Sequence, residues 1–138
     1  MVKEAINFRT EVEAGYAVRL AHKNKKSGKL TGGFMHFPPG CNAVVQVRLL
    51  VSSPTAGQER QIIPIQDEYI ALDDSQWEFE LDEIVLKGDD ILVDIRNTGA
   101  ADHKISVVVT RYSGDPTQAE LEKESQKRKA EKQRGSHQ

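Results

Sequence analysis

The sequence predicts an all-β fold, an antiparallel β-sandwich of the jelly-roll kind. Apolar side chains recur at every second position in several segments, as between Val45 and Val51, where Gln46 and Arg48 occupy positions of the other parity. A period of two is that of a strand with one buried face. Turn-forming residues separate these segments, and helical periodicity is absent before residue 114.

The first half of the chain contains four segments with strand character. Pro38-Pro39-Gly40 lies between the third and the fourth. Because proline has no backbone donor and glycine turns the chain freely, this tripeptide is expected to close one strand and open the next. The four predicted strands are Val2–Arg9, Ala14–Ala21, Leu30–Phe37 and Ala43–Ser52.

The second half contains shorter segments of the same kind, with a predicted turn at Lys87–Asp90. About eight to ten short strands result, spaced by roughly 8–12 residues, as is typical of a sandwich or barrel. The predicted strands of this half are Gln61–Gln66, Glu68–Leu72, Trp77–Leu81, Ile84–Leu86, 91–96 and 105–110. The residues expected to face one shared interior are Val45, Val47, Leu49, Ile91, Val93, Ile95, Ile105, Val107 and Val109.

The composition changes after residue 114, which predicts a β-sandwich domain over 1–114 and a charged tail over 115–138. The tail favours helix by propensity, but its only apolar residues are Ala119, Leu121 and Ala130. These are too few to form a stripe that packs on a core. The tail is therefore expected to be a solvated helix or disordered.

Composition limits the classes of protein to be considered. The 138 residues suit one core, and a net charge of −2 argues against nucleic-acid binding by the protein as a whole. Cys41 is the only cysteine, so no disulfide can form within the chain. The N-terminus lacks the apolar region of a secretory signal and no apolar run is long enough to span a membrane, so we expect synthesis in the cytoplasm.

Residues of types that bind metals are present, but their spacing does not predict a metal site. The segment from Asn97 to His103 resembles the loop that precedes a copper-ligand histidine in cupredoxins, a family that also needs a later cysteine and histidine. Here only His137 follows, and Met35, His36 and Cys41 lie far upstream. We therefore expect no metal, no cofactor and no catalytic residue, with Cys41 a small buried residue at the start of a strand.

Paired carboxylates occur at three places in the second half of the chain. Such pairs can bind calcium or act in acid–base chemistry. Acidic pairs directly after strands are also common in turns, and a turn is the simpler interpretation here. The three pairs are Asp67-Glu68, Asp73-Asp74 and Asp89-Asp90.

Two basic segments are the candidate sites for electrostatic contact. The first is the loop 22–29, whose lysines either bind an anionic partner or discourage pairing at a strand edge. The second is the basic cluster of the tail, which offers the chain's one expected route to nucleic acid. The candidate residues are Lys23, Lys25, Lys26, Lys29, Lys127, Arg128, Lys129, Lys132 and Arg134.

The absence of a catalytic motif favours a non-enzymatic structural or assembly module that acts through protein–protein contacts. In size, all-β core and charged tail, the chain resembles the jelly-roll accessory or decoration domains of virus particles. This resemblance implies a virion protein that oligomerises or binds another structural protein. The alternative is a carbohydrate- or glycoconjugate-binding β-sandwich, although aromatic residues make up only 6% of the chain.

Overall fold

The computed structural model describes residues 2–53, 57–64 and 69–113, together with Gln126. Eight β-strands form the fold. They are β1 Val2–Val12, β2 Ala17–Lys23, β3 Gly28–Phe37, β4 Val45–Ser53, β5 Gln58–Ile63, β6 Ser75–Val85, β7 Asp90–Asn97 and β8 His103–Ser113. Apart from Gln126, the predicted tail lies outside the described residues, as does all of its basic cluster, so the boundary at residue 114 stays a prediction.

The strands form two four-stranded sheets, which face each other across one core. The first sheet has the order β1-β8-β3-β6, the second has the order β2-β7-β4-β5, and all pairings are antiparallel. Apart from β4 and β5, consecutive strands belong to different sheets, which is the connectivity of a jelly roll. The fold class predicted from the sequence is confirmed.

The interior consists mainly of branched aliphatic side chains from alternate positions of the strands. All nine residues expected to share one interior are at most 1% exposed. Phe37, Leu30 and Met35 are the largest fully buried side chains and add to the same cluster. The strand phase assigned from the period of two is therefore confirmed.

Strand boundaries differ from the prediction where a charged residue interrupts the apolar pattern. The predicted break between Leu81 and Ile84 is wrong, because β6 continues without interruption from Ser75 to Val85. Asp82 points to solvent, and the carboxylate of Glu83 forms an ion pair with Arg60 of β5 at 2.9 Å. Two consecutive charged residues can therefore lie within a strand when one is exposed and the charge of the other is neutralised.

A second correction concerns the predicted strand Glu68–Leu72. Glu68 lies outside the described residues, and the only sheet pairing found for the described residues 69–72 is an isolated bridge between Ile70 and Val47. The backbone amide of each donates to the carbonyl oxygen of the other, at 2.8 and 2.9 Å. A single bridge of this kind anchors the connection before β6 without adding a strand.

Gly32 and Gly33 occupy the middle of β3, where the register shifts between Leu30 and Gly32. Both have positive φ values, 153° and 156°, which disfavour residues with a side chain. A Cβ on Gly33 would overlap the carbonyl oxygen of Val108 in the neighbouring strand. Close packing of β3 against its two neighbouring strands therefore requires glycine here.

Candidate interaction surfaces

The lysine loop between β2 and β3 lies at one end of the sandwich, which we call the lysine end. The turn between β6 and β7 lies at the same end, and its Lys87 amide donates to the hydroxyl of Ser27 in the loop at 3.2 Å. Strand β8 also finishes here, because Ser113 pairs with Gly28. The chain therefore leaves the described sandwich towards its tail beside the lysine loop.

A buried polar network fixes the shape of the lysine loop. Arg111 of β8 is 4% exposed, and its guanidinium donates to the side-chain oxygen of Asn24 and, at 2.9 Å, to the carbonyl oxygen of Lys26. The amide group of Asn24 donates to the carbonyl oxygen of Leu86 at 2.9 Å. Asp89 completes the turn by accepting from the Leu86 amide at 2.9 Å. The loop is thus held against the adjacent turn by groups with little access to water.

The four lysines of this loop differ in their partners. Lys29 forms an ion pair with Asp82 at 3.1 Å, and Lys23 lies 3.8 Å from Asp90. Lys25 and Lys26 are exposed and form no ion pair with any other residue that the structure describes. Within this loop, the positive charge available to a partner is therefore concentrated on Lys25 and Lys26.

The outer surface of the second sheet carries a network of ion pairs, which we call the paired face. Asp94 of β7 lies between Arg19 of β2 and Arg48 of β4 in the sheet register. The Nε of Arg19 donates to Asp94 at 2.6 Å and the Nε of Arg48 donates to it at 2.9 Å. Arg19 also reaches Glu59 of β5 at 2.8 Å. These contacts tie all four strands of the second sheet together.

The electrostatics of the paired face stabilise the charged form of Asp94. Burial alone would raise the pKa of this carboxyl, but hydrogen bonds from Arg19 and Arg48 outweigh burial, and its pKa lies below the ordinary value. The hydrogen bonds to Asp94 and Glu59 raise the pKa of Arg19 in turn. Asp94 and Arg19 therefore stay ionised throughout the neutral pH range.

Tyr69 covers part of the paired face. The guanidinium carbons of Arg48 and Arg96 lie 5.0 and 4.5 Å from the centroid of its ring, within the range of a cation–π contact. Arg96 also donates from Nε to the side-chain oxygen of Gln46 at 2.7 Å. An aromatic ring and planar polar groups thus lie next to one another on this surface.

The fold separates Met35 from His36 among the residues considered as metal ligands, whereas the ring of His103 lies near Gly40, the residue before Cys41. Met35 is fully buried in the core, whereas its neighbour His36 is exposed, because successive residues of a strand point to opposite faces. Cys41 is buried after the Pro-Pro-Gly turn, and burial, followed by the nearby charge of Asp73, raises the pKa of its thiol. Within 2–53, 57–64 and 69–113, no group of three or more His, Cys, Asp or Glu side chains could hold a metal ion.

Two of the acidic pairs have structural roles. The carboxylate of Asp73 accepts from the backbone amide of Asn42 at 3.0 Å, which links the connection before β6 to the turn after β3. Asp89 is 3% exposed and closes the β6–β7 turn, as described above. The pair Asp67-Glu68 lies outside the described residues.

Strand β1 forms one edge of the first sheet. It pairs with β8 over its full length without a register shift, from Val2 opposite Ser113 to Val12 opposite His103. In the described part of the chain it has no second strand partner. Its exposed positions include Lys3, Arg9 and Glu11, none of which forms an ion pair at this edge with another described residue.

Strand β6 forms the opposite edge of the first sheet and differs in charge. It has the same length as β1, 11 residues, but its exposed ladder carries three acidic side chains, Glu78, Glu80 and Asp82. At its end, Glu83 is bound to Arg60 of the second sheet. One edge is therefore acidic and fixed to the other sheet, while the β1 edge carries both signs of charge.

Comparison with known proteins finds similarities only among solved structures. No protein-family model matches the chain, and no curated protein matches it. Among solved structures it is similar to the one described as CBM35 from Cellvibrio japonicus Abf62, with a TM-score of 0.35 and 16% identity, covering 75% of this chain and 73% of that chain. No helix among the described residues is long and apolar enough to cross a membrane.

Sequence reasoning identified the lysine loop but missed the groups that organise these surfaces. The position of these groups on the outer face of the second sheet was predictable, because each occupies a polar position in an alternating strand. They are Arg19, Arg48, Asp94 and Arg96. Their mutual contact depends on β2, β7 and β4 being neighbours, which no local pattern specifies. Arg111 gave no signal, because a single arginine in an apolar strand does not reveal its buried partners.

Proposed function

We propose that this protein is a non-enzymatic structural or assembly module that acts through protein–protein contacts. The observation that carries the proposal is the β1 edge, an 11-residue strand with one described strand partner and a regular register. An edge of this kind presents backbone donors and acceptors to which another chain can add a strand. The catalytic or metal-binding alternatives have no comparable support among the described residues, since these include no group of three or more potential ligands and Cys41 is a buried thiol with a raised pKa.

The finer proposal is a structural or decoration protein of a virus particle. It is supported by the jelly-roll connectivity and by the lysine end, where exposed Lys25 and Lys26 lie beside the point at which the chain leaves the sandwich. Lysine side chains at this position would contact an acidic surface of a neighbouring subunit. The basic tail residues would extend the same contact, with nucleic acid as their second type of partner.

Size measurement tests the proposed function directly. Multi-angle light scattering of the full chain over a hundredfold range of concentration should show a mass above that of one chain, 15.4 kDa, which increases with concentration. If the protein is a monomer throughout, the self-assembling form of the proposal is wrong. Mixing with a purified partner candidate, followed by the same measurement, then tests the form in which a different structural protein is the partner.

A carbohydrate- or glycoconjugate-binding module is the second candidate function. The observation in its favour is the position of Tyr69 next to Arg48, Arg96 and Gln46 on the paired face, because sugar sites combine aromatic rings with planar polar groups. Against it, Arg48 is already bound to Asp94 and Arg96 to Gln46. A ligand would have to replace these contacts.

A glycan array distinguishes the two functions. Binding of a defined glycan class that is lost in Tyr69→Ala, and retained in Tyr16→Ala, would establish the second candidate. Tyr16 is a suitable control because it is 64% exposed. If no glycan binds to a protein that self-associates, the assembly proposal is retained and the glycan proposal is excluded.

A further inference from the structure

We infer that two copies of this chain pair through their β1 edges, antiparallel, around a twofold axis that passes through Asn7. The inference rests on the proposed function, since it assigns the self-association surface of the assembly module. The partner is a second copy of the chain, and its recognition comes from backbone hydrogen bonds together with the order of charges along β1. The result is one continuous eight-stranded sheet formed from the two first sheets.

The alternation of side chains restricts the registers that such a pair can adopt. In a continuous sheet, residues opposite each other point to the same face, so an outward residue of one copy must face an outward residue of the other. In β1 the outward series includes Lys3, Asn7 and Glu11, while Ile6 and Phe8 are buried on the inner side. The twofold axis must therefore pass through a residue and not between two residues.

Charge selects one register from this set. With the axis at Asn7, all of β1 is paired and Lys3 lies opposite Glu11 of the second copy, twice by symmetry. With the axis at Ile6, Lys3 lies opposite Arg9, and with the axis at Arg9, this arginine lies opposite itself. Opposite charges across a strand pair are favourable and like charges unfavourable, so the register at Asn7 is preferred over both.

The remaining registers are shorter or leave charges without partners. An axis at Ala5 leaves Arg9 and Glu11 unpaired, and an axis at Phe8 places Glu11 opposite Ala5. In the register at Asn7, by contrast, the small side chain of Ala5 faces the long side chain of Arg9, which can extend over it. Ile6 faces Phe8 of the second copy, so the two apolar cores become adjacent at the junction.

The alternation of charge across the junction also includes a lysine of β8 in each copy. Within one chain Glu11 lies opposite Lys104 of β8 in the sheet register. The second copy would place Lys3 on the other side of the same glutamate. The row would then alternate in sign across the junction, positive, negative, positive. Lys3 and Glu11, which form no ion pair with another described residue, are thus complementary to the same two residues of a second copy.

Cysteine crosslinking of the full chain tests the register. Asn7→Cys places the two thiols directly opposite each other, with Cα atoms about 5 Å apart, a separation that a disulfide spans. Ala5→Cys is the matched control, because the two thiols would be displaced by about 14 Å along the strands. Native Cys41 is buried and its thiol pKa is raised, so it should not contribute.

Under mild oxidation at a concentration where light scattering shows association, Asn7→Cys should form a covalent dimer in most of the protein. Ala5→Cys should remain largely monomeric on a non-reducing gel, and Ala5→Cys combined with Arg9→Cys should crosslink again. An oligomer in which Asn7→Cys fails to crosslink would overturn the inference and leave the assembly function in place. A full chain that stays monomeric would overturn the inference together with self-assembly, and circular dichroism confirms that each variant is folded.

Discussion

The two edges of the first sheet are equal in length and opposite in character. Strand β6 exposes Glu78, Glu80 and Asp82, and Glu83 at its end is bound to Arg60 of the second sheet. Strand β1 exposes Lys3, Arg9 and Glu11, with no described partner at its outer edge.

The difference shows how charge can direct association. Two copies that met through β6 would bring acidic side chains together, so this edge resists self-pairing. Two copies that meet through β1 can match opposite charges in one register. The same sheet therefore has one edge protected from association and one edge suited to it.

Both edge strands are held in place by packing on the core, so a charge placed in the core should cause the largest loss of stability. Val93 is fully buried in β7, and Val93→Asp would bury a carboxylate with no partner. We expect a loss of at least about 4 kcal/mol, enough to unfold a marginally stable domain. The milder Leu49→Ala should cost about 2–5 kcal/mol in chemical denaturation. Unchanged stability of Val93→Asp would contradict the strand phase.

Breaking the ion pair that links the β6 edge to the second sheet should cause the next largest loss of stability. The side chains of Arg60 and Glu83 are only 10% and 12% exposed. Glu83→Gln removes the charge that compensates Arg60, and we expect a loss of about 3 kcal/mol in urea denaturation. Glu11→Gln, the matched change on the β1 edge, should alter monomer stability by less than about 0.5 kcal/mol. Equal effects of the two variants would remove the distinction between the edges.

A carboxylate held by hydrogen bonds from two arginines should also differ in its pH dependence from one in a long, exposed ion pair. Because the pKa of Asp94 is lowered in the folded protein, its contribution is fully present above the unfolded pKa, about 4. The contribution is lost as the pH falls through the lower folded pKa. Asp94→Asn should therefore destabilise the protein by about 1–3 kcal/mol at pH 7.

The melting temperature of Asp94→Asn should fall less than that of the unmodified protein between pH 5 and pH 3. Asp90→Asn is the control on the same strand, since Asp90 lies 3.8 Å from Lys23 and its side chain is 28% exposed. We expect this control to change stability by no more than about 0.5 kcal/mol. Identical pH profiles for the two variants would contradict the role assigned to Asp94.

The smallest effect on stability is expected from removal of the tail. The segment 115–138 has only three apolar residues other than glycine and proline, so it has little surface to bury. Truncation after Gly114 should shift the melting temperature by less than about 2 °C in calorimetry. A large shift would mean that the tail packs on the sandwich.

The fold was largely predictable from the sequence, whereas the candidate surfaces were not. The period of two placed Val47, Val93 and Val107 correctly in the interior, because burial acts on each strand locally. The break predicted near Glu83 was wrong, since its partner Arg60 lies in another sheet. The different character of β1 and β6 likewise requires the strand order, which places β8 between β1 and β3.

A charge-reversal cycle measured by sedimentation equilibrium tests the central claim most directly. Lys3→Glu and Glu11→Lys should each weaken dimerisation by roughly tenfold, because each turns two attractive pairs into repulsive ones. The double variant, Lys3→Glu with Glu11→Lys, should recover most of the lost affinity, and Glu78→Lys on the β6 edge should not weaken dimerisation. If the single variants dimerise as the unmodified protein does, pairing through β1 is contradicted. It is also contradicted if the double variant loses as much dimerisation free energy as the two single variants together.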